Sequence, residues 1–165
     1  MRRYAAVAYE SLLLAAIVLV VGFLTAPLVS SVDRSMRTFD IPPLPLRALS
    51  ACAVFGTAGF YFVWSWTGGR RTLPMKTWRL TLERTDGRSV DAMTAVTRYL
   101  AAWIGPLAGI VAYEGLKPAT FGTQALWLLP INYLWPLVDP DRQFLHDRIA
   151  GTRIVLAATP DRLRR

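Results

Sequence analysis

Four stretches of the chain carry no charged side chain, and their lengths constrain the fold more than any other feature. They cover residues 11–32, 48–69, 99–113 and 118–138. A helix needs about 20 mostly apolar residues to cross a bilayer, with about 18 as the lower threshold. The third stretch reaches that length when it is extended back to residue 92, because Arg98 can snorkel toward the headgroups. The sequence predicts four transmembrane helices, at about 5–29, 47–66, 92–113 and 120–138.

The composition fits an all-α membrane protein with little soluble structure. Apolar residues make up 53% of the 165 residues and charged residues only 18%, whereas about 25% of the residues in globular proteins are charged. The predicted spans occupy about half of the chain, which leaves too little for a separate soluble domain. We expect one transmembrane domain over residues 1–155, with a cytoplasmic loop at 67–91 and a basic tail at 156–165.

The positive charges are distributed unevenly between the segments that flank the spans, and this predicts the orientation. Lys and Arg residues near spans remain preferentially on the cytoplasmic side. Of the 19 cationic residues, 15 lie on one side, and four lie on the other: Arg34, Arg37, Arg47 and Lys117. Both termini should therefore be cytoplasmic.

The same distribution argues against nucleic acid as the partner of a chain with a net charge of +8. A nucleic-acid-binding protein gathers its cations on one face of a folded domain. Here the cations are spread over three short cytoplasmic segments. We expect the lipid bilayer, with anionic headgroups on the cytoplasmic side, to be the partner instead.

The cytoplasmic loop at 67–91 has the pattern of a hairpin. Trp78, Leu80 and Leu82 alternate with polar residues, which is the period of a strand with one apolar face. The Asp86–Gly87 pair that follows is a hairpin-type turn. The sequence predicts weak pairing of 77–84 with 88–90, as a flap packed on the helices or as a gate for a substrate.

The segment after the last span has the start and end signals of a short amphipathic helix at 140–150. Asp139 is suited to cap it, Pro140 to begin it, and Gly151 to follow its end. Apolar residues recur at helical spacing: Phe144, Leu145 and Ile149. We expect this helix to lie in the membrane interface, with residues 152–155 extended after it.

Spans three and four contain residues that disturb a regular helix. Gly105 and Gly109 suit a close contact with another helix, and Pro106 a kink. Three residues predict an irregular fourth span: Pro130, Asn132 and Pro136. Broken helices can line a transport site, but ordinary packing accounts for the same residues.

Three parts of the chain resemble the RDD family of small bacterial membrane proteins, which is named for one arginine and two aspartates. Residues 3–14 resemble the start of its first helix, and residues 68–82 together with Asp86-Gly87-Arg88 resemble its central loop. Residues 139–155 resemble its C-terminal signature, most specifically in Leu145-His146-Asp147-Arg148-Ile149-Ala150-Gly151-Thr152. The resemblance implies an RDD-type integral protein of the bacterial inner membrane, often suggested to take part in transport.

The resemblance also implies which residues matter. Arg3 matches the family arginine, and Glu10 stands where the first aspartate is expected, so the carboxylate is kept on a longer side chain. The second aspartate is matched by Asp147 or by Asp139.

Glu10 is a functional candidate even apart from the family resemblance. An ionisable group inside a span costs free energy, so its presence there suggests a function. It follows Arg3 by seven residues, about 10.5 Å along a helix and on nearly the same face. Contact at that distance needs a third group, for which Arg98 and Arg148 are candidates. Glu10 is then either half of a buried ion pair that fixes the first helix or a carboxylate that binds a proton or cation.

The sequence contains no enzyme signature, and we expect no catalysis and no cofactor. It lacks a phosphate-binding glycine loop and a nucleophile elbow. His146, the single histidine, lies beside Asp147 and is a secondary candidate for proton relay, but no further ligands complete a metal site.

Two functional hypotheses remain. The first is transport of an ion or small solute, by an oligomer, since four short helices enclose little volume. The second is a membrane scaffold or accessory subunit that docks another membrane protein through its cytoplasmic loop and C-terminal helix.

Overall fold

The computed structural model describes residues 2–32, 43–116 and 122–157. Several expectations concern residues outside these ranges: Arg34, Arg37, Lys117 and most of the basic tail at 156–165. The described chain divides into two compact units, Met1–Phe62 and Val63–Arg165.

The first unit consists of two long apolar helices, which lie where the first two spans are predicted. Helix α1 covers Arg2–Val32 and helix α2 covers Leu44–Trp66, of which the last turn belongs to the second unit. The segments Arg2–Ala26 and Leu44–Gly69 are long and apolar enough to cross a membrane. In such segments the backbone polar groups are satisfied within the helix itself, as hydrocarbon requires.

The third predicted span corresponds to the segment Ala92–Leu116, which is long and apolar enough to cross a membrane and has a break near its middle. Helix α4 covers Ala92–Ala102, and helix α5 covers Ile104–Leu116. Asp91 caps α4 by accepting a hydrogen bond from the Thr94 backbone N–H at 2.8 Å. The break at Trp103 follows from Pro106, which has no N–H to donate to the Ala102 carbonyl.

The fourth predicted span is not confirmed as one helix. The described residues form four short pieces: α6 at Gly122–Ala125, a 3₁₀ turn at Leu126–Leu128, α7 at Ile131–Leu134 and a 3₁₀ turn at Trp135–Leu137. Pro130 and Pro136 interrupt the backbone hydrogen bonds, so the predicted irregularity is confirmed. These short pieces pack closely on α5. The approach is so close at Gly105 that an added Cβ atom would lie only 2.9 Å from the Leu129 carbonyl oxygen.

The loop between the second and third spans begins with a 3₁₀ turn at Thr67–Gly69 and the short helix α3 at Leu73–Thr77. Thr72 caps α3 by accepting a hydrogen bond from the Met75 N–H at 3.3 Å. Pro74 and Met75 are buried and hold α3 in place. Trp78 therefore ends a helix, and its predicted place in a strand is wrong.

The strand that follows, β1 at Leu80–Arg84, pairs with β2 at Thr152–Leu156 in an antiparallel two-stranded sheet, with Leu82 opposite Ile154. Residues 88–90 do not form the predicted strand, although the Arg84 N–H donates to the Arg88 carbonyl oxygen at 3.0 Å across a turn in which Gly87 has φ of 81°. Asp91 already caps α4, so the chain has no length for a second strand there. The extended conformation predicted for 152–155 is confirmed, and the burial of Leu80 and Leu82 confirms the alternation.

The C-terminal helix, α8, covers only Leu145–Ala150, so its predicted start near residue 140 is wrong. Asp139 does not cap it; its Oδ2 accepts from the Gln143 N–H at 2.8 Å and closes a turn. Gly151 ends α8 with φ of 62°, as predicted. Of the residues predicted for its apolar face, Phe144 is buried within the protein and Ile149 is exposed.

Candidate functional site

A buried ion pair joins the third span to the C-terminal segment. Arg98 of α4 donates from Nε to Oδ1 of Asp147 of α8 at 2.7 Å. The side chains are 3% and 1% exposed. Each charge compensates the other, since either one alone would carry a large desolvation cost in this position.

Both members of the pair have further neighbours. The Arg98 guanidinium lies over the ring of Trp66, 4.1 Å from its centroid, a cation–π contact. The Thr152 hydroxyl donates to Asp147 Oδ1 at 3.1 Å. Within the part of the chain that the structure describes, Asp147 Oδ2 is buried without a hydrogen-bond partner.

His146 is buried next to the pair as a neutral imidazole of defined tautomer. Its Nε2 lies 3.1 Å from Arg98 Nη2, and its Nδ1 lies 2.8 Å from Asn132 Oδ1. Since guanidinium only donates, Nε2 is the acceptor, and Nδ1 carries the proton and donates to Asn132. Burial lowers the pKa of His146 from 6.5 to about 4, opposed by the Asp147 carboxylate and helped by the Arg98 cation. The imidazole also stacks on Phe144, with centroids 5.5 Å apart.

Asn132 connects three elements at the centre of this network. Its Oδ1 also accepts from the His146 backbone N–H at 2.9 Å. Its Nδ2 donates to the carbonyl oxygens of Ala101 and Ala102, both at 3.1 Å. These carbonyls lie at the break between α4 and α5, so Asn132 satisfies the acceptor that Pro106 leaves without an intrahelical donor. We call Arg98, Asp147, His146 and Asn132 the buried network.

A second, more exposed ion pair involves Arg148, which follows Asp147 of the buried network in the sequence. Arg148 Nε donates to Asp139 Oδ1 at 2.8 Å, and Arg148 Nη2 lies 2.9 Å from Asp141 Oδ2. The hydrogen bond from the Gln143 backbone N–H, with those from Arg148, holds the pKa of Asp139 below 3.8.

The predicted site residues are thus brought together in two groups. The first contains Arg98, His146 and Asp147, and the second contains Asp139 and Arg148. Both candidates for the second family aspartate pair with an arginine. Arg3 and Glu10 lie on α1 in the first unit, seven positions apart. Among the described residues, no group of three or more His, Cys, Asp or Glu could hold a metal ion.

Sequence reasoning missed three members of the site: Asn132 as its centre, Trp66 as the platform under Arg98, and Thr152 as a donor to Asp147. Asn132 gave a usable signal, because a lone amide in an apolar segment needs partners when it is buried. Trp66 and Thr152 gave none, since each is ordinary at its position and acquires its role only from the tertiary contact.

The arrangement is suited to hold segments of the chain together. Its polar groups are nearly all paired, and its charges neutralise each other within a closed environment. Such a network fixes one packing of α4 against α8, because any other packing would leave buried polar groups without partners. The fold and this site together define a helical membrane protein whose third span is tied to its C-terminal segment by buried polar contacts.

The comparison with protein families places this chain more narrowly. The RDD family model matches residues 1–151, and the chain therefore belongs to the RDD family. No significant match was found among curated proteins or among solved structures.

Proposed function

We propose that this protein supports the movement of an ion or small solute across the bacterial inner membrane, without catalysis and as an oligomer, with Glu10 as its intramembrane carboxylate. The observation that carries the proposal is the position of Glu10. It is partly buried on α1, inside the segment Arg2–Ala26, which is apolar enough to cross a membrane. A carboxylate at such a position is costly and is retained mainly where it serves a purpose.

The proposed topology has four crossings, with both termini in the cytoplasm. It is supported by the pairing of β1 with β2, because paired strands outside the hydrocarbon lie on the same side of the bilayer. The third span leads away from that side after β1. The chain must then return before β2, and the segment 122–138 is the apolar stretch available for the return.

The contacts of that segment support a return crossing. Its later residues contact earlier residues of α4 and α5: Leu129 lies against Gly109, and Asn132 against Ala101. The segment therefore runs antiparallel to the third span. At about 1.5–2.0 Å per residue, its 17 residues extend about 26–34 Å, close to the roughly 30 Å of a hydrocarbon core.

The test of transport is a flux assay on the full chain in proteoliposomes with a pH-sensitive dye inside. After a sodium or potassium pulse, the wild type should move protons or cations faster than empty liposomes, and Glu10→Gln should abolish this flux at unchanged protein abundance. Glu114→Gln makes the same chemical change at an exposed position of α5 and should retain the flux. Wild-type flux in Glu10→Gln, or loss of folded protein, would contradict the proposal and favour a structural ion pair.

A scaffold that docks another membrane protein is the second candidate. It is favoured by apolar side chains exposed on the sheet and the C-terminal helix, where Ile149 is 47% and Leu156 61% exposed. Ile149→Ser with Leu156→Ser should then remove a membrane protein that co-purifies with the wild type, and leave any flux unchanged. Co-purification that survives both substitutions would count against docking at this face.

A further inference from the structure

The segment that joins α2 to β1 carries positive charges that no acidic residue balances. Between residues 67 and 82 the sequence contains no Asp or Glu and four cations: Arg70, Arg71, Lys76 and Arg79. Within the described residues, none of the four lies within 4.0 Å of a carboxylate. Arg70, Lys76 and Arg79 are exposed. We call these four residues the basic segment.

The cations farther along the same loop are neutralised locally. Arg84 lies 2.7 Å from Asp91, and Arg153 of β2 lies 2.7 Å from Glu83. The positive charge is therefore concentrated next to the end of α2 and is not a general property of the sheet. A partner that recognises charge would be attracted to the basic segment first.

The position of Arg70 places the basic segment at the depth of lipid headgroups. Its Nε donates to the Trp64 carbonyl oxygen at 2.6 Å, and its guanidinium lies 4.8 Å from the centroid of the Trp64 ring. Both residues lie at the C-terminal end of the candidate span Leu44–Gly69. Tryptophan and arginine at a span end are typical of the boundary between hydrocarbon and headgroups.

Helix α3 continues the same surface with mixed apolar and cationic character. Its buried Pro74 and Met75 fix it to the protein. Leu73 remains 54% exposed, and Lys76 is exposed as well. An apolar side chain beside a cation suits the membrane interface, where the first contacts acyl chains and the second contacts phosphate.

We propose that the basic segment binds the phosphate of an anionic phospholipid in the leaflet at the C-terminal end of α2. Guanidinium and ammonium groups donate hydrogen bonds to phosphate oxygens, and four unbalanced cations favour a lipid with net negative charge over a zwitterionic one. The binding requires that α2 crosses the membrane and is independent of any transport activity.

The test measures lipid bound to the detergent-solubilised full chain by native mass spectrometry, in titrations with phosphatidylglycerol and with phosphatidylcholine. The first variant combines Arg71→Gln, Lys76→Gln and Arg79→Gln, and keeps Arg70 because it binds the end of α2. The matched control combines Arg88→Gln, Arg142→Gln and Arg153→Gln, which removes the same charge elsewhere. The single substitutions are measured too, so that a triple variant that fails to fold still leaves a comparison.

Each cation near an anionic membrane surface contributes roughly five-fold in binding. The preference for phosphatidylglycerol over phosphatidylcholine should therefore fall by about ten-fold or more in the first variant and by less than about two-fold in the control. Equal losses in the two variants would show diffuse attraction and overturn the proposal, as would an unchanged preference in the first. Displacement of the lipid by inorganic phosphate, but not by chloride at equal ionic strength, would assign the segment to free phosphate instead.

Discussion

At the scale of single residues, the stability of this protein depends on the pairing of Arg98 with Asp147. Asp147→Asn removes the negative charge and leaves the 3% exposed guanidinium without compensation. Breaking a buried pair from one side costs about 3–5 kcal/mol. We expect the thermal midpoint of the purified protein to fall accordingly, whereas Asp86→Asn, at a carboxylate that is 41% exposed, should change it little.

The double variant Arg98→Met, Asp147→Leu separates the charge from the packing. Replacement of both partners by apolar residues of similar volume is often tolerated much better than removal of one. It should therefore be more stable than Asp147→Asn, even though it also loses the contact of Arg98 with Trp66 and its hydrogen bond to His146. A double variant less stable than the single one would mean that the pair itself provides the stability.

Titration of His146 should make the free energy of unfolding depend on pH between about 4 and 6.5. Its pKa is 6.5 when unfolded and about 4 when folded, so the unfolded state binds a proton first as the pH falls. The stability that is present above pH 6.5 is therefore lost progressively down to about pH 4, by roughly 3 kcal/mol in total for this shift. Thermal midpoints measured from pH 7 to 4.5 should show the decline.

Three carboxylates with lowered pKa values titrate outside this window. The pKa values of Asp86, Asp91 and Asp139 are lowered from 3.8, so their contributions are lost only below about pH 4. His146 is the single histidine of the chain. His146→Gln should be less stable at pH 7 but should not vary between pH 7 and 4.5; an equal decline in this variant would assign the effect to another group.

At the scale of elements, the contact of α5 with the broken segment depends on a missing side chain. A Cβ at Gly105 would lie 2.9 Å from the Leu129 and 3.1 Å from the Leu128 carbonyl oxygens, which are backbone atoms. Gly105→Ala should therefore destabilise the protein by about 1–3 kcal/mol. Gly109→Ala should cost less, since its nearest neighbour is the Leu129 side chain. Gly56→Ala, with nothing within 4 Å, should be neutral or slightly stabilising in a thermal melt.

The elements that could be predicted from sequence are those that a local pattern determines. The first two spans follow from uninterrupted apolar length, and the third follows from an apolar stretch that contains Arg98. The end of α8 follows from Gly151, whose positive φ suits glycine. The partner of β1 could not be predicted, because β2 lies about 70 residues later and no local signal connects the two strands. The predicted start of α8 was wrong because the Asp139 carboxylate accepts hydrogen bonds from Gln143 and Arg148 instead of capping a helix.

The site itself was predictable only in part, for a related reason. Arg98, His146 and Asp147 were identifiable as charged or titratable groups near the predicted membrane boundary, but their mutual contacts span 48 and 49 positions of sequence. The burial of His146 and Asp147 was not predicted, and their pairing with Asn132 and Arg98 compensates the cost of burying polar groups. A periodicity argument cannot anticipate such compensation.

At the scale of the whole molecule, the pairing of β1 with β2 predicts the number of crossings. If the segment 122–138 returns across the bilayer, the turn after β1 and the turn before α8 lie on the same side.

Single cysteines introduced by Asp86→Cys and by Arg142→Cys, in a Cys52→Ser background, report on these two exposed positions. In sealed inside-out vesicles, a membrane-impermeant maleimide should label both, since both positions are expected to be cytoplasmic. A third cysteine variant, Glu114→Cys at the far end of α5, should remain unlabelled until the membrane is permeabilised. Labelling of only one of the first two positions would contradict four crossings, because the two strands could not then pair outside the hydrocarbon.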